Sequence, residues 1–528
     1  MIHFIAVIAM PLLICSCETG SRSVESLSQT VQDVTLAEPT DIKFEAPEQN
    51  KATDFNTEEY DNIVENQFVT ALREPLSTFS IDVDRAAYSN VRRFIQNGTL
   101  PPAGAVRIEE MVNYFDYNYP QPNNGEPFSI NTEISGCPWN TEHKLVHIGL
   151  QGKDIATDNL VASNLVFLID VSGSMDEPNK LPLVQSSLKM LADKLREEDN
   201  AAIVVYAGNA GLVLPSTKGS EKTKIKDAID ALSAGGSTAG GEGIQLAYKI
   251  AAENFKKNGN NRIILATDGD FNVGVTSDDE LVNLIEEKRK SGIFLTVLGY
   301  GVGNYQDSKM QQLADKGNGN HAYIDNINEA RKVLVNEFGA TLFTIAKDVK
   351  LQVEFNPQKV QSYRLIGYEN RVLQNEDFNN DKKDAGELGA GHTVTALYEI
   401  IPVGVKDEFT GKVDDLKYQN NTNLNESYTD ELLTIKFRYK EPNSDVSKLI
   451  VHPVMDDNKS IESASDNFKF SAAVAEFGLL LRNSSFKENA SFNQTIELAK
   501  QSKTDDEDGY RTEFLQLVKS ASLLAKTK

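Results

Sequence analysis

Five short apolar runs in the middle of the chain, at 165–169, 202–206, 262–266, 294–298 and 321–324, alternate with segments of helical spacing. The helical segments carry Val184/Leu188/Leu191/Leu195, Ile225/Ile229/Leu232, Ile244/Tyr248/Ala251 and Leu281/Ile285 at intervals of three or four. Ser277 and Glu280 form a capping box that opens the last of them. Strands this apolar have no face left for water. Separated by amphipathic helices, they predict βαβ units and a mostly parallel, Rossmann-like sheet with helices on both faces. Sites in such sheets lie at the carboxyl ends of the strands.

The flanks follow other periods. Val83, Ala87, Val91, Phe94 and Ile95 share helical spacing and Gly98 follows as a stop; 106–115 repeats the pattern after Pro101-Pro102. Phe128, Ile130, Thr132 and Ile134 alternate with polar residues, and 144–152 reads as a second strand. Beyond Thr344, Val349/Leu351/Val353/Phe355 and Leu433/Ile435/Phe437/Tyr439 alternate cleanly, as in an antiparallel sheet with one wet face. Asn- and Asp-rich stretches at 370–384 and 419–426 read as loops, and the segments 470–481, 493–499 and 510–524 are helical. An isolated hairpin is marginal, so the strands at 127–152 are expected to pair with those after 347. The predicted class is α/β: the central domain (156–345) is inserted in a discontinuous antiparallel β domain (127–155 and 346–465). Helical segments flank it at 71–126 and 466–528.

Hydrophobic residues at 40% and charged residues at 25% exclude a disordered or fibrous chain. Lys and Arg number 53 against 77 Asp and Glu, a net charge of -24 that phosphate backbones repel, so no nucleic acid partner is expected. Residues 1–16 read as an export signal, with an apolar run from Phe4 to Ile14. Leu13-Ile14-Cys15-Ser16-Cys17 resembles a bacterial lipobox, which implies cleavage before Cys17 and lipidation there. Cys15 then leaves with the signal and Cys137 remains as a lone thiol, so no intramolecular disulfide is available. From Glu18 to Glu65 there are 12 acids against three bases and few apolar residues, the composition of a flexible acidic tether, placed at 17–70. The expected location is the cell envelope, lipid-anchored to a membrane, with the outer membrane or cell surface favoured.

At the end of the first central run stands Asp170-Val171-Ser172-Gly173-Ser174. A Gly-rich loop, 235–241 with Thr238, follows the second helix of the sheet, and Thr267-Asp268-Gly269 follows the next apolar run. All three are expected at one edge of the sheet. Together they supply two carboxylates and three hydroxyls, hard oxygen donors that suit Mg²⁺ or Mn²⁺ better than zinc. This set resembles the metal-ion-dependent adhesion site of the von Willebrand factor A domain. The resemblance implies that Ser172 and Ser174 ligate the ion, Thr238 directly or through water, while Asp170 and Asp268 act mostly through water. It also implies an open coordination position for an acidic side chain of a protein ligand. Mg²⁺ is the first expectation, with Mn²⁺ or Ca²⁺ as alternatives. Further segments, 76–84, 90–94, 107–111, 267–274 and 509–514, resemble the YfbK-like bacterial von Willebrand factor A proteins.

Competing readings are weaker. Asp82-Val83-Asp84 superficially resembles a phosphatase nucleophile motif, but Ala86 stands where Thr or Val belongs, and a helix start capped by carboxylates explains it. The acids at 505–508 fail as an EF-hand and are expected to cap the last helix. Asp377 to Gly386 fails too, with Lys382 where the turn needs Gly. His143 and His147, four apart on a strand, lie about 13 Å apart, too far for a zinc pair. Asp270 and Asn272 are candidates for the rim of the metal site. No zincin or α/β-hydrolase motif occurs, and no His or Lys is expected beside the site. The chain therefore reads as a metal-dependent protein binder and not an enzyme. The alternatives are an envelope scaffold with a structural metal and a metal-dependent hydrolase.

Overall fold

The computed structural model describes residues 58–123, 125–155, 160–207, 209–236, 240–269, 278–337, 343–383, 385–410, 430–442, 444–456, 459–502 and 506–526. The export signal, Cys17 and most of the acidic tether therefore lie outside the described residues. In chain order, β1 (Val69–Thr70), β2 (Leu76–Ser80), α1 (Ala86–Gln96), α2 (Ile108–Asn113), β3 (Phe128–Cys137) and β4 (Asn140–Gly152) lead into the central region. That region runs β5 (Ser163–Asp170), α3 (Leu181–Lys194), β6 (Asn200–Ala207), β7 (Asn209–Lys218), α4 (Lys222–Asp230), α5 (Gly240–Glu253) and β8 (Asn260–Thr267). It continues with α6 (Asp278–Lys290), β9 (Ile293–Tyr300), α7 (Asp307–Lys316), β10 (His321–Ile324) and α8 (Ile327–Arg331). The remainder is β11 (Thr344–Phe355), β12 (Val360–Ile366), β13 (Gly386–Gly389), β14 (Thr393–Pro402), β15 (Glu431–Lys440), β16 (Ser447–Met455), α9 (Asp466–Arg482), α10 (Phe492–Gln501) and α11 (Tyr510–Lys526).

The central strands form a six-stranded sheet in the order β10-β9-β8-β5-β6-β7. All its pairings are parallel except β6 with β7, a hairpin edge that the apolar-run pattern did not reveal. β5 and β8 are buried along their whole length, as strands covered on both faces must be. Two cores form, one per face. Leu165, Phe167 and Ile169 pack under α3 and α4, whereas Val166 and Leu168 pack with Ile244 of α5 and Ile285 of α6.

On either side of this insertion the chain builds two antiparallel sheets. One has the order β1-β12-β14-β4-β3, so β4 before the insertion pairs with β14 after it, from Lys144↔Ile400 to Gln151↔Thr393. The other has the order β13-β11-β15-β16, with β2 also on β11. Their inner faces share one core: Val146, Ile148 and Leu150 meet Val349, Leu351, Val353, Ile435 and Phe437. This is a sandwich, and Lys436 and Arg438 of the 433–439 segment alternate with its buried residues as expected. The wet face expected for 349–355 is corrected: Lys350 and Gln352 are buried, bonded to carbonyls of Asp377 and Asn375, and only Glu354 is exposed. The expected discontinuous β domain is present, with β14 as the strand that closes it.

The helices at the two ends of the chain pack together. Val91 of α1, Met111 of α2, Phe470 and Phe477 of α9 and Phe514 of α11 belong to one cluster. The expectation that Asp82 and Asp84 cap α1 is corrected. Its cap residue is Arg85, which makes no side-chain cap bond, and the amide of Ala87 is taken by Glu110 Oε2 at 2.9 Å. Asp84 instead accepts from the His321 amide at 2.8 Å, Gln311 Nε2 at 3.0 Å and Arg371 Nη2 at 3.1 Å, so it ties the start of β10 to α7. Asp506, in contrast, does cap α11, accepting from the amides of Arg511 at 2.9 Å and Thr512 at 2.8 Å.

Candidate metal centre

β5 and β8 are neighbours, yet the chain leaves β5 toward β6 and returns from the far edge to β8. The strand order reverses there, and the loops after β5 and β8 diverge, leaving a crevice between them. Asp170 ends β5 and Asp268 follows β8, so the topology delivers both carboxylates to that crevice. Both are fully buried.

The loop after β5 turns immediately. Ser172 is extended and Gly173–Asp176 forms a single tight turn. Asp170 Oδ1 accepts from the Ser172 amide at 2.9 Å, which fixes the loop, and Oδ2 faces Thr267 Oγ1 at 3.4 Å. The hydroxyls of Ser172 and Ser174 lie 3.0 Å apart, Ser172 buried and Ser174 exposed, so the pair opens outward. The Gly-rich loop is brought in by its backbone: Gly173 N donates to Gly236 O at 3.1 Å and Gly235 N to Val171 O at 2.7 Å. Gly269 has φ +110, and a Cβ there would meet Asn304 O at 2.5 Å and Tyr305 Cα at 2.7 Å, so no side chain fits beside Asp268.

Burial pushes the Asp170 carboxyl up to about 6, and the neighbouring Asp268 charge adds to this; the hydrogen bonds from Ser172 oppose it. Two buried carboxylates side by side call for a cation. One is built in. Lys180 Nζ lies 3.1 Å from Asp268 Oδ2, and both side chains are buried. This corrects the expectation that no Lys stands beside the site. The lysine immediately precedes α3, and its stem fills the space that a Cβ on Gly301 would need. Eighty-eight residues separate the ion pair. Only the packing of α3 against the end of β9 brings it together, so no local signal announced it.

The structure thus assembles Asp170, Ser172, Ser174 and Asp268. Thr238, Asp270 and Asn272 lie outside the described residues. The donor set is all oxygen and fits a hard divalent cation. A second cluster involves His143 Nδ1 and Glu399 Oε1, 2.6 Å apart, with Glu488 Oε1 3.7 Å from the same nitrogen. Arg364 lies 2.7 Å from Glu399 and Asn140 takes the other His143 nitrogen at 3.1 Å, so this is a neutralised internal network. His147 sits apart from it, bonded to Tyr119 and Ser471 and held neutral by burial, which lowers its pKa to about 3.

Comparison with known proteins matches three stretches of the chain. Residues 164–336 match the von Willebrand factor type A domain, 54–147 a second von Willebrand factor model, and 340–524 the C-terminal model of uncharacterized protein YfbK. Uncharacterized protein YfbK of Escherichia coli (strain K12) is 45% identical over 473 residues, covering 88% of this chain and 81% of that protein. Uncharacterized protein sll0103 of Synechocystis sp. is 29% identical over 196 residues, 37% of this chain and 45% of its own length. Among solved structures, a von Willebrand factor type A protein from Catenulispora acidiphila covers 73% of this chain and 89% of its own at 17% identity and a TM-score of 0.38. The chain belongs to the YfbK family of proteins, built around a von Willebrand factor type A domain.

Proposed function

We propose that the chain is a lipid-anchored envelope protein that binds a protein partner through a divalent ion held at Asp170, Ser172, Ser174 and Asp268, with Thr238 completing the set. Domains of this type mediate protein–protein interactions. The observation that carries the metal-dependent reading is the pair of fully buried carboxylates beside two serine hydroxyls at the crevice of the sheet. A bound ion with an open position attracts a carboxylate, so the partner is expected to present an acidic side chain. Mg²⁺ is the favoured ion. We read the protein as a binder and not an enzyme: Lys180 is buried and paired with Asp268, a counter-charge rather than a proton carrier.

The anchor in this reading is Cys17, behind the acidic segment that follows it. Two measurements test the proposal. Cys17→Ala is expected to abolish incorporation of labelled fatty acid and to release the chain from the membrane fraction. Capture from envelope extracts is expected to enrich a partner in Mg²⁺ that is lost with chelator and with Asp170→Ala; enrichment indifferent to both argues against metal-dependent binding. One observation favours a scaffold with a dispensable metal: Lys180 gives Asp268 its counter-charge without an ion. In that case Asp170→Ala leaves partner capture intact.

A further inference from the structure

At the opposite end of the parallel sheet, Arg262 is a buried arginine with no ion-pair partner among the described residues. It is the third residue of β8, six residues before Asp268, which at about 3.3 Å per residue places it roughly 20 Å from the metal centre. Its side chain is 2% exposed. Among the described residues its single hydrogen bond runs from Nη1 to Thr296 Oγ1 at 2.8 Å, while Nε has no partner. The guanidinium lies 5.6 Å over the Phe294 ring. Among the described residues no carboxylate forms an ion pair with it; Glu387, which lines the same cavity, acts on it only at longer range. Burial accordingly pulls its pKa down, to about 10.

The guanidinium lines a cavity of about 560 Å³ between the amino-terminal ends of β8–β10 and strand β13. Other cations line it too, but they are engaged. Arg371 is paired with Asp82, Asp84 and Asp315, and Lys316 with Glu286 at 2.7 Å. Arg289 donates to Asn318 Oδ1 at 3.0 Å. Arg262 is different in kind: a fixed charge, out of water, whose planar fork still has donors to give. A buried cation without a counter-charge is costly, and the fork matches two oxygens of one carboxylate or phosphate group. The cavity volume lies in the range of small-molecule sites and exceeds what a bare ion needs.

We propose that this cavity binds a small molecule through an oxyanion group, carboxylate or phosphate, held by Arg262 at the seam between the parallel sheet and the antiparallel sandwich. Its occupancy is independent of the metal centre, and the test is run in chelator to keep the two apart. The full chain is titrated calorimetrically with inorganic phosphate and, separately, with malonate at constant ionic strength. One equivalent of either probe is expected to bind, and the probe that binds identifies the group as phosphate or carboxylate. Arg262→Met is expected to weaken binding about tenfold or more, and Arg262→Lys, which keeps the charge but loses the fork, to weaken it by a similar factor. In chloride alone Arg262→Met is expected to melt no lower than the wild type. The proposal is overturned if neither probe binds, if either variant binds like the wild type, or if Arg262→Met melts well below it in chloride, which would make Thr296 and Phe294 sufficient partners.

Discussion

Lys180 decides how the candidate site behaves before any ion arrives. With its ammonium on Asp268, the crevice carries two carboxylates against one cation, so an incoming divalent ion meets less negative charge than the oxygen donors suggest. At an effective dielectric near 20, one charge at contact distance is worth up to about 4 kcal/mol, and solvent reduces that at the mouth of a crevice. Lys180→Met is therefore expected to tighten Mg²⁺ binding about tenfold, measured by calorimetric titration. Weaker binding would mean that the lysine holds Asp268 in position and that its charge is secondary. Four of the five site positions lie among the described residues, and those four come together at the carboxyl ends of β5 and β8. They were legible because Asp170 ends an apolar run and Asp268 follows another, so sequence position dictates where each carboxylate emerges. Lys180 was not, because its partner lies 88 residues away and is reached only through helix packing.

At the scale of elements, the apolar runs and helical spacings foretold β5, β6, β8, β9 and β10 and the helices α3 to α6, but not α7 between β9 and β10. Several strands escaped notice, including β14 despite its buried Val394, Leu397, Ile400 and Ile401. β7 contains Pro215, and of its apolar run Leu212-Val213-Leu214 only Leu214 is buried, so the sequence shows neither alternation nor a fully buried strand. β13 is short and rich in glycine. The aspartates before α1 look like cap residues in sequence, but ion pairs with Arg371 and the amide of His321 outcompete the helix end. Glu476 shows a further element-scale effect. It is a buried carboxyl in the middle of α9, and Oε1 accepts from the Ser491 amide at 3.0 Å at the start of α10. Burial raises its pKa from 4.5 to about 7. A raised carboxyl contributes stability that is fully present below pH 4.5 and lost as pH rises through 7. Glu476→Gln keeps the acceptor and stays neutral. Its stability relative to the wild type is expected to rise between pH 4 and pH 9 by on the order of 2–3 kcal/mol in denaturant unfolding. A difference that is flat with pH would show that the carboxyl titrates normally.

Across the whole molecule, Arg92 on α1 joins parts of the chain far apart in sequence. It donates to Asp325 at 2.8 Å and Glu329 at 2.7 Å, at the end of the parallel sheet, and to Glu513 of α11 at 3.0 Å. Removing it strands Asp325 and Glu329 as buried charges, so Arg92→Met is expected to lower stability by about 3–5 kcal/mol in equilibrium unfolding. A loss below about 1 kcal/mol would show that the terminal helices dock through Val91, Phe470 and Phe514 alone. This junction also explains why the α/β insertion is not a free module: the helices at both ends of the chain pack against each other and pair with its last elements. The central claim concerns the metal centre at the carboxyl ends of β5 and β8, and thermal unfolding of the full chain tests it most directly. Wild type and Asp170→Ala are compared in chelator and in Mg²⁺, Mn²⁺ and Ca²⁺. An ion at 100 times its dissociation constant adds about 2.7 kcal/mol to the state that binds it. The account predicts that the wild type melts higher with at least one of these ions and that Asp170→Ala does not respond. A wild type that melts identically in chelator and at millimolar metal would contradict it.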